Sequence, residues 1–299
     1  MKSKKIYYIL ISLFMISNIY LSEANYDIHN VSGTTEIKLI SSNISKTSLK
    51  VEVEDYLLIP TENGKFKIYI DKGTSLINEG SPDIPKLSTS IIIPDQGNMK
   101  IKIVDSEYIE YSNVDLSSSK GNITRDIEPS SIPYIYNKNY TKNTFYPGSL
   151  AELESPYIIR DLRGQTVLLY PVQYNPVTKK LRIYSNITID IESIDNSMAK
   201  NALSRNSSMV SSNNEFIHMY NNLFINSPND TRFEYIADDG VMLVICYDDF
   251  IDEMQPFVDW KNKKGIYTDI VGLSDVGGTL SSMQDYINNY YYNHNLTYL

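Results

Sequence analysis

From Leu181 to Ile191 the chain alternates. Leu181, Ile183, Ile187, Ile189 and Ile191 are apolar, whereas Arg182, Asn186, Thr188 and Asp190 are polar. A period of two is the spacing of a strand that buries one face, and a helix would scatter the same side chains around its axis. The alternation recurs at Lys50–Glu54, at Phe66–Ile70 behind an Asn63-Gly64 turn signal, and at Met99–Ile103. Asn175 to Lys180 is rich in turn residues and predicts a hairpin joining a strand over Val167–Tyr174 to the Leu181–Ile191 strand. In Gly80-Ser81-Pro82-Asp83-Ile84-Pro85 each proline fixes its own φ and turns its predecessor away from α, so this segment is expected to run rigid and extended. No amphipathic helix is evident from 35 to 195. Many short strands with Gly, Pro and Asn between them predict an all-β, sandwich-like domain over residues 25–200. Residues 112–160 show no regular pattern and read as a long loop laid over a neighbouring domain.

The first segment reads as an address. Lys2, Lys4 and Lys5 precede the apolar run Ile6–Ile16, and Ser22-Glu23-Ala24 supplies small residues for a signal peptidase. Residues 1–24 are therefore predicted to be a signal peptide cleaved at Ala24. The apolar run is shorter than the roughly 20 residues of a membrane span, so the chain left after cleavage is expected to be secreted or displayed at the cell surface, with no transmembrane span. The lone cysteine, Cys246, excludes an internal disulfide and a cysteine-based metal cluster. Stability must then come from the core. A net charge of −9 and a pI near 4.9 argue against a nucleic-acid partner, because phosphate binding needs a basic face.

Residues 195–230 are rich in Asn and Ser and read as an exposed connector, with Phe216–Tyr220 as a short packed turn. Beyond Gly240 the pattern becomes strand, helix, strand, helix, strand. Val241–Cys246 is a continuous apolar run, as in a strand of a parallel sheet buried on both faces. Pro256 suits the first turn of a helix running to Lys264, followed by Gly265 as its stop. Phe257, Trp260, Lys261 and Lys264 share one face of that helix. Ile266–Val271 is a second strand. Thr279 is the candidate N-cap of a second helix, with Leu280, Met283, Ile287 and Tyr290 at helical spacing, and Asn293-His294-Asn295 forms a turn. Leu296–Leu299 starts a third strand, so the parallel sheet is expected to continue past Leu299.

These strings resemble one family. Phe257-Val258-Asp259-Trp260-Lys261-Asn262-Lys263-Lys264-Gly265, then Gly278-Thr279, Tyr286-Ile287 and Leu296-Thr297-Tyr298-Leu299, are similar to the opening of the gingipain-type cysteine peptidase domain. Gly80–Pro85, Arg163-Gly164 and Pro171-Val172-Gln173-Tyr174-Asn175-Pro176 resemble its propeptide. The resemblance touches most of residues 75–299. It implies a β-rich propeptide at 25–200, a linker with an activation site at 201–238, and the beginning of an α/β, caspase-like parallel-sheet domain at 239–299. It further implies acyl transfer by a His–Cys dyad supplied beyond Leu299, with the propeptide assisting folding of its own downstream catalytic domain and inhibiting it. Protein substrates would belong to the full-length enzyme, and this chain alone is expected to be inactive.

No catalytic, cofactor-binding or metal-binding residue is assigned. Cys246 lies in a buried-strand pattern, where thiols act as small hydrophobes. His29, His218 and His294 fall in unrelated segments and match no motif. Asp238, Asp239, Asp248, Asp249, Asp252 and Glu253 bracket the first parallel strand. Such carboxylates suit calcium, which gingipain-like domains bind, but they lack calcium-loop spacing and read first as a solvated acidic rim. Arg232, in Asn229-Asp230-Thr231-Arg232-Phe233, is the candidate activation-cleavage site, with Arg205 second. Arg160 and Arg163 could act as pseudo-substrate plugs, although an ordinary surface role fits them better. The competing readings are a secreted, non-enzymatic β-sandwich binding or adhesion module with a remnant peptidase-like tail, and a free-standing protease inhibitor.

Overall fold

The computed structural model describes residues 29–30, 33–160, 162–195, 199–204, 209–211, 214–227, 234–236, 240–294 and 296–299. The expected signal segment and its cleavage residue Ala24 lie outside them. The strands are β1 (His29–Asn30), β2 (Glu36–Ser42), β3 (Lys46–Glu52), β4 (Tyr56–Pro60), β5 (Phe66–Ile70), β6 (Thr74–Ser75), β7 (Pro85–Ile92), β8 (Asn98–Tyr111), β9 (Ala151–Leu153), β10 (Tyr157–Ile159), β11 (Leu162–Leu169), β12 (Val172–Asn175) and β13 (Lys180–Asp195). Then come β14 (Met209–Ser211), helix α1 (Asn214–Leu223), β15 (Glu234–Ile236), β16 (Val241–Cys246), α2 (Ile251–Lys263), β17 (Tyr267–Gly272), α3 (Leu280–His294) and β18 (Leu296–Tyr298). Among the described residues no helix is long and apolar enough to cross a membrane.

The predicted β-rich domain is present, and β13 is its axis. One edge of β13 pairs with β8, and the other pairs first with β12 and then with β3, which carries β2 beyond it. All these pairs are antiparallel. The alternation does what its period requires: Leu181, Ile183, Ile187, Ile189 and Ile191 are all at most 1% exposed. They share one core with Leu49 and Val51 of β3, with Leu87 and Ile91 of β7, and with Val167 and Leu169 of β11. A second antiparallel sheet, β10-β11-β7-β6 with β9 also on β11, supplies the β7 and β11 residues of that core. The sheet β1-β4-β5 adds Tyr56, Ile68 and Ile70 to the same cluster.

The strand expected over Val167–Tyr174 is two strands in two sheets. β11 ends at Leu169 and β12 begins at Val172, with Tyr170-Pro171 between them. Pro171 has no N–H to give to a ladder; its carbonyl instead accepts from Tyr184 N at 2.8 Å. The chain passes from one sheet to the other at that point, and the hairpin at Asn175–Lys180 joins only β12 to β13.

The irregular stretch at 112–150 is pinned by its own backbone and by tyrosines. Tyr174 Oη donates to Val114 O at 2.9 Å and accepts from Leu116 N at 3.3 Å, and Tyr140 Oη donates to Leu116 O at 3.1 Å. Gly80 N donates to Ser119 O, and Asn137 N donates to Gly80 O, both at 2.9 Å. Gly80 has φ +74°, and a Cβ there would meet Asn137 at 3.1 Å. The Gly80–Pro85 segment is therefore rigid, as its prolines suggest, and is also clasped by the loop.

The expected exposed connector contains a packed helix. Tyr220 and Phe224 are 1% exposed and close over Ile92 and Leu162 on the outer face of the β7-β11 sheet. Just past α1, Ile225 N donates to Ser90 O at 3.0 Å. Asn226, also buried, accepts from Ile92 N at 2.8 Å and donates to Ile92 O at 3.0 Å, standing in for a neighbouring strand along β7.

Arg163 is the largest fully buried side chain of β11 and has no surface role. Its guanidinium donates to four backbone carbonyls: Pro94 at 2.7 Å, Gly97 at 3.0 Å, Lys200 at 2.8 Å and Asn201 at 2.9 Å. It ties the β7–β8 loop to the segment that leaves β13. Burial lowers its pKa from the usual guanidinium value, and the nearby Asp95 opposes that shift.

On the outer face of β3, Glu52 pairs with Lys38 and, at 2.7 Å, with Lys50. The hydrogen bond from Lys38, reinforced by Lys50, holds the Glu52 carboxyl down at about 2 against an ordinary 4.5. A depressed folded-state pKa contributes stability that is present above the unfolded value and is lost as pH falls through the folded one. Glu52→Gln is therefore expected to lower the unfolding midpoint at neutral pH and to flatten its decline between pH 4.5 and about 2, followed by thermal melts across that window. Arg163→Met, which leaves four carbonyls without their donor, is expected to cost about 3–5 kcal/mol in urea unfolding; a loss below about 1 kcal/mol would show the staple to be dispensable.

Candidate functional site at the junction of the two units

After the connector the predicted strand–helix alternation forms a three-stranded parallel sheet in the order β17-β16-β18. Val241, Ile245 and Val271 pack with Tyr286, Ile287 and Tyr290 of α3 around the buried Leu243. Tyr290 is buried too, and its phenol donates to Asp269; burial, with that hydrogen bond second, raises its pKa. Thr279 caps α3 as expected: Ser282 N donates to Thr279 Oγ1 at 3.1 Å, and Thr279 N donates to Ser282 Oγ at 3.1 Å. The helix runs through His294, so Asn293-His294 is its last turn.

Two expectations for this unit are revised. α2 starts at Ile251, which leaves Pro256 inside the helix. Asp252 and Glu253 complement the N-terminal end of the dipole there, and a 3₁₀ turn at Asp248–Phe250 leads directly in. β16 is only half-buried apart from Leu243, because the face bearing Met242, Val244 and Cys246 opens into a groove of about 580 Å³. Met254, Phe257, Leu273, Met283 and Leu299 are among the other residues that line it. Cys246 is accordingly half-buried, at the carboxyl end of the central strand, rather than enclosed. On α2, Lys261 Nζ lies 5.5 Å from the Phe257 ring and 5.2 Å from Trp260, and Lys264 Nζ lies 4.7 Å from Trp260. This shared face is half exposed to water, with Trp260 at 50%.

At the carboxyl rim the acidic residues act as loop ties. Asp248 accepts from Ser274 N at 3.2 Å and from its hydroxyl, and the hydroxyl bond lowers the Asp248 pKa. Asp275 accepts from Gly272 N at 3.3 Å. Asp252 and Glu253 serve the first turn of α2. His218 and His294 are exposed on α1 and α3. Asp238, Asp239, Arg205 and the candidate cleavage residue Arg232 lie outside the described residues.

The amino rim of the parallel sheet meets the β-domain at the β10–β11 hairpin. Ile159 pairs with Leu162, and Arg160 is the first residue past β10, in the turn of that hairpin. Arg160 has φ +48°, in the left-handed region that such tight turns require and that arginine rarely occupies. Its guanidinium donates to Thr297 O at 3.3 Å, to Leu296 O at 3.4 Å and to Thr297 Oγ1 at 3.3 Å. The same guanidinium lies 4.4 Å from the Phe216 ring of α1, and Phe216 packs 6.1 Å from the Tyr298 ring of β18. One turn, one helix and one strand thus meet around a single side chain. Beside it, a Cβ on Gly164 would come within 2.6 Å of Phe224 and 2.7 Å of Tyr157, so glycine lets those two stacked rings close over β11.

Sequence reading names Arg160 as a candidate plug and Phe216 within a short packed turn but does not join them at this junction, and it passes over Asn226, which caps the β7 edge. An Asn/Ser-rich background obscures how far the aromatic run Phe216, Tyr220 and Phe224 extends beyond the packed turn read at Phe216–Tyr220.

The Propeptide_C25 family matches residues 30–222. Gingipain R1 of Porphyromonas gingivalis is 33% identical over 263 residues, covering 85% of this chain and 26% of that protein. Gingipain R2 of the same organism is 31% identical over 264 residues, covering 86% of this chain and 35% of that protein. The chain therefore spans about a quarter to a third of the length of these relatives. Among solved structures, the complex of Porphyromonas gingivalis RgpB pro- and mature domains contains a chain 31% identical to this one, with a TM-score of 0.59; the match covers all of that chain and 66% of this one. With nearly two-thirds of its length matched, a β-sandwich core under that match and a parallel unit following it, the chain belongs to the Propeptide_C25 family and carries the propeptide of a gingipain-like cysteine peptidase precursor.

Proposed function

We propose that the chain is the N-terminal part of a secreted gingipain-like cysteine endopeptidase zymogen, and that its β-sandwich holds the peptidase domain latent while assisting its folding. The observation that carries this reading is the likeness of the β-sandwich to a chain from a complex of pro- and mature domains, together with the parallel α/β unit docked on it through Arg160. In this reading β16, β17 and β18 with α2 and α3 open a caspase-like peptidase domain. The His–Cys acyl-transfer pair belongs to the remainder of a precursor about two and a half to three and a half times as long, in keeping with the relatives' lengths. Export through a signal cleaved at Ala24 and activation after Arg232 complete the proposal. The carboxylates around β16 leave room for calcium in that larger domain. The adhesion-module alternative is less favoured, since the family match falls on a propeptide.

Two measurements test this. Added to the mature peptidase domain of gingipain R1, the folded chain is expected to abolish its hydrolysis of protein substrates near equimolar ratio; full activity at about tenfold excess of chain, at nanomolar enzyme, would reject the latency role. Brief digestion of the full chain with a trypsin-like protease is expected to cut first after Arg232, giving a fragment that begins at Phe233, and Arg232→Ala is expected to remove that cut. An early cut confined to another site would overturn the assignment.

A further inference from the structure

The position of Arg160 along the parallel sheet is informative. Val241 and Leu296 are the first residues of β16 and β18, and they are paired. The guanidinium grips Leu296 and Thr297, at the amino rim of the sheet. Ligands and reactive groups of parallel α/β sheets sit at the opposite, carboxyl rim. There lie Cys246, Tyr247, Leu273 and Leu299, on the groove and not beneath the hairpin. A plug would enter the carboxyl rim; Arg160 does not.

β18 also needs help. It is three residues long, and its ladder to β16 is irregular, slipping between Val241–Leu296 and Met242–Tyr298. Strands this short contribute little on their own. Arg160 adds donors to two successive carbonyls and one hydroxyl of that strand. Phe216 orients the planar guanidinium from behind, and Tyr298 packs on Phe216 from the strand side.

We infer that the β10–β11 hairpin is an anchor that templates the amino rim of the parallel sheet, with Arg160 as its positioning residue, Phe216 as its backing and β18 as its partner. Arg160 and Phe216 precede the Arg232 junction in the chain, and β18 follows it. The anchor therefore spans that junction and holds the two units together without relying on the peptide link between them. The inference concerns contacts within this chain and stands whether or not the peptidase reading does.

Hydrogen exchange on the full chain tests it. Arg160→Gly removes the guanidinium while accepting φ +48° more readily than arginine, and Arg160→Asn tolerates the same backbone. Both are expected to speed exchange at 296–298 and 241–246 by about tenfold or more, the loss of two to three hydrogen bonds. Amides of β3 and β13 are expected to keep their protection. Phe216→Ala is expected to loosen the same peptides, and the double variant Arg160→Gly/Phe216→Ala to do no more than either single change. Unchanged protection at 296–298 in Arg160→Gly would overturn the anchor, as would loosening of β13 to the same extent, because that would mark a general loss of fold.

Discussion

A strand hydrogen-bonded along both edges and buried on one face cannot slip by one residue without turning its whole apolar set into water. β13 is in that position for most of its length, with β8 on one side and β12 then β3 on the other. Its five inward residues, Leu181, Ile183, Ile187, Ile189 and Ile191, meet side chains from all three antiparallel sheets in one core. At about 1.5–3 kcal/mol for each fully buried aliphatic side chain, that set alone rivals the net stability of a typical domain before chain entropy is subtracted. The register of β13 fixes the register of β3 and β8, and β3 fixes β2.

The parts of this architecture legible in the sequence are those with one period and one neighbour. The alternation at Leu181–Ile191, the Thr279 cap and the strand–helix order beyond Gly240 depend on residues close in the chain, and they stand as expected. What escaped depends on distant partners. Val167–Tyr174 looks like one strand because its residues are uniformly apolar, and only the two sheets reveal that Pro171 divides it. Arg163 reads as a surface cation in isolation; the four carbonyls that enclose it come from residues 94, 97, 200 and 201. β16 reads as fully enclosed, yet the described structure covers one of its faces well and leaves a groove on the other.

Two arginines three residues apart illustrate how strand geometry divides labour. Arg163 points into the β-domain and stitches loops that belong to it. Arg160, at the turn, faces outward and engages the parallel unit. A guanidinium suits both tasks, because its planar fork meets several carbonyl oxygens at once and stays charged under partial burial. The glycine at 164 is the complement: its missing side chain gives Tyr157 and Phe224 room to close the outer face, where α1 brings Phe216 within reach of Arg160.

The stand-in strand supplied by Ile225 and Asn226 has a temporal consequence. A chain emerging from the ribosome presents β7 and β11 long before residue 226 exists, so for much of synthesis the β7 edge has backbone groups with no partner, the condition that invites mispairing. Closure comes with Ile225 and Asn226. Asn226 comes before Val241 in chain order, so the residues that close the β7 edge belong to the chain ahead of the parallel unit, and the β-domain can be complete before β16 pairs.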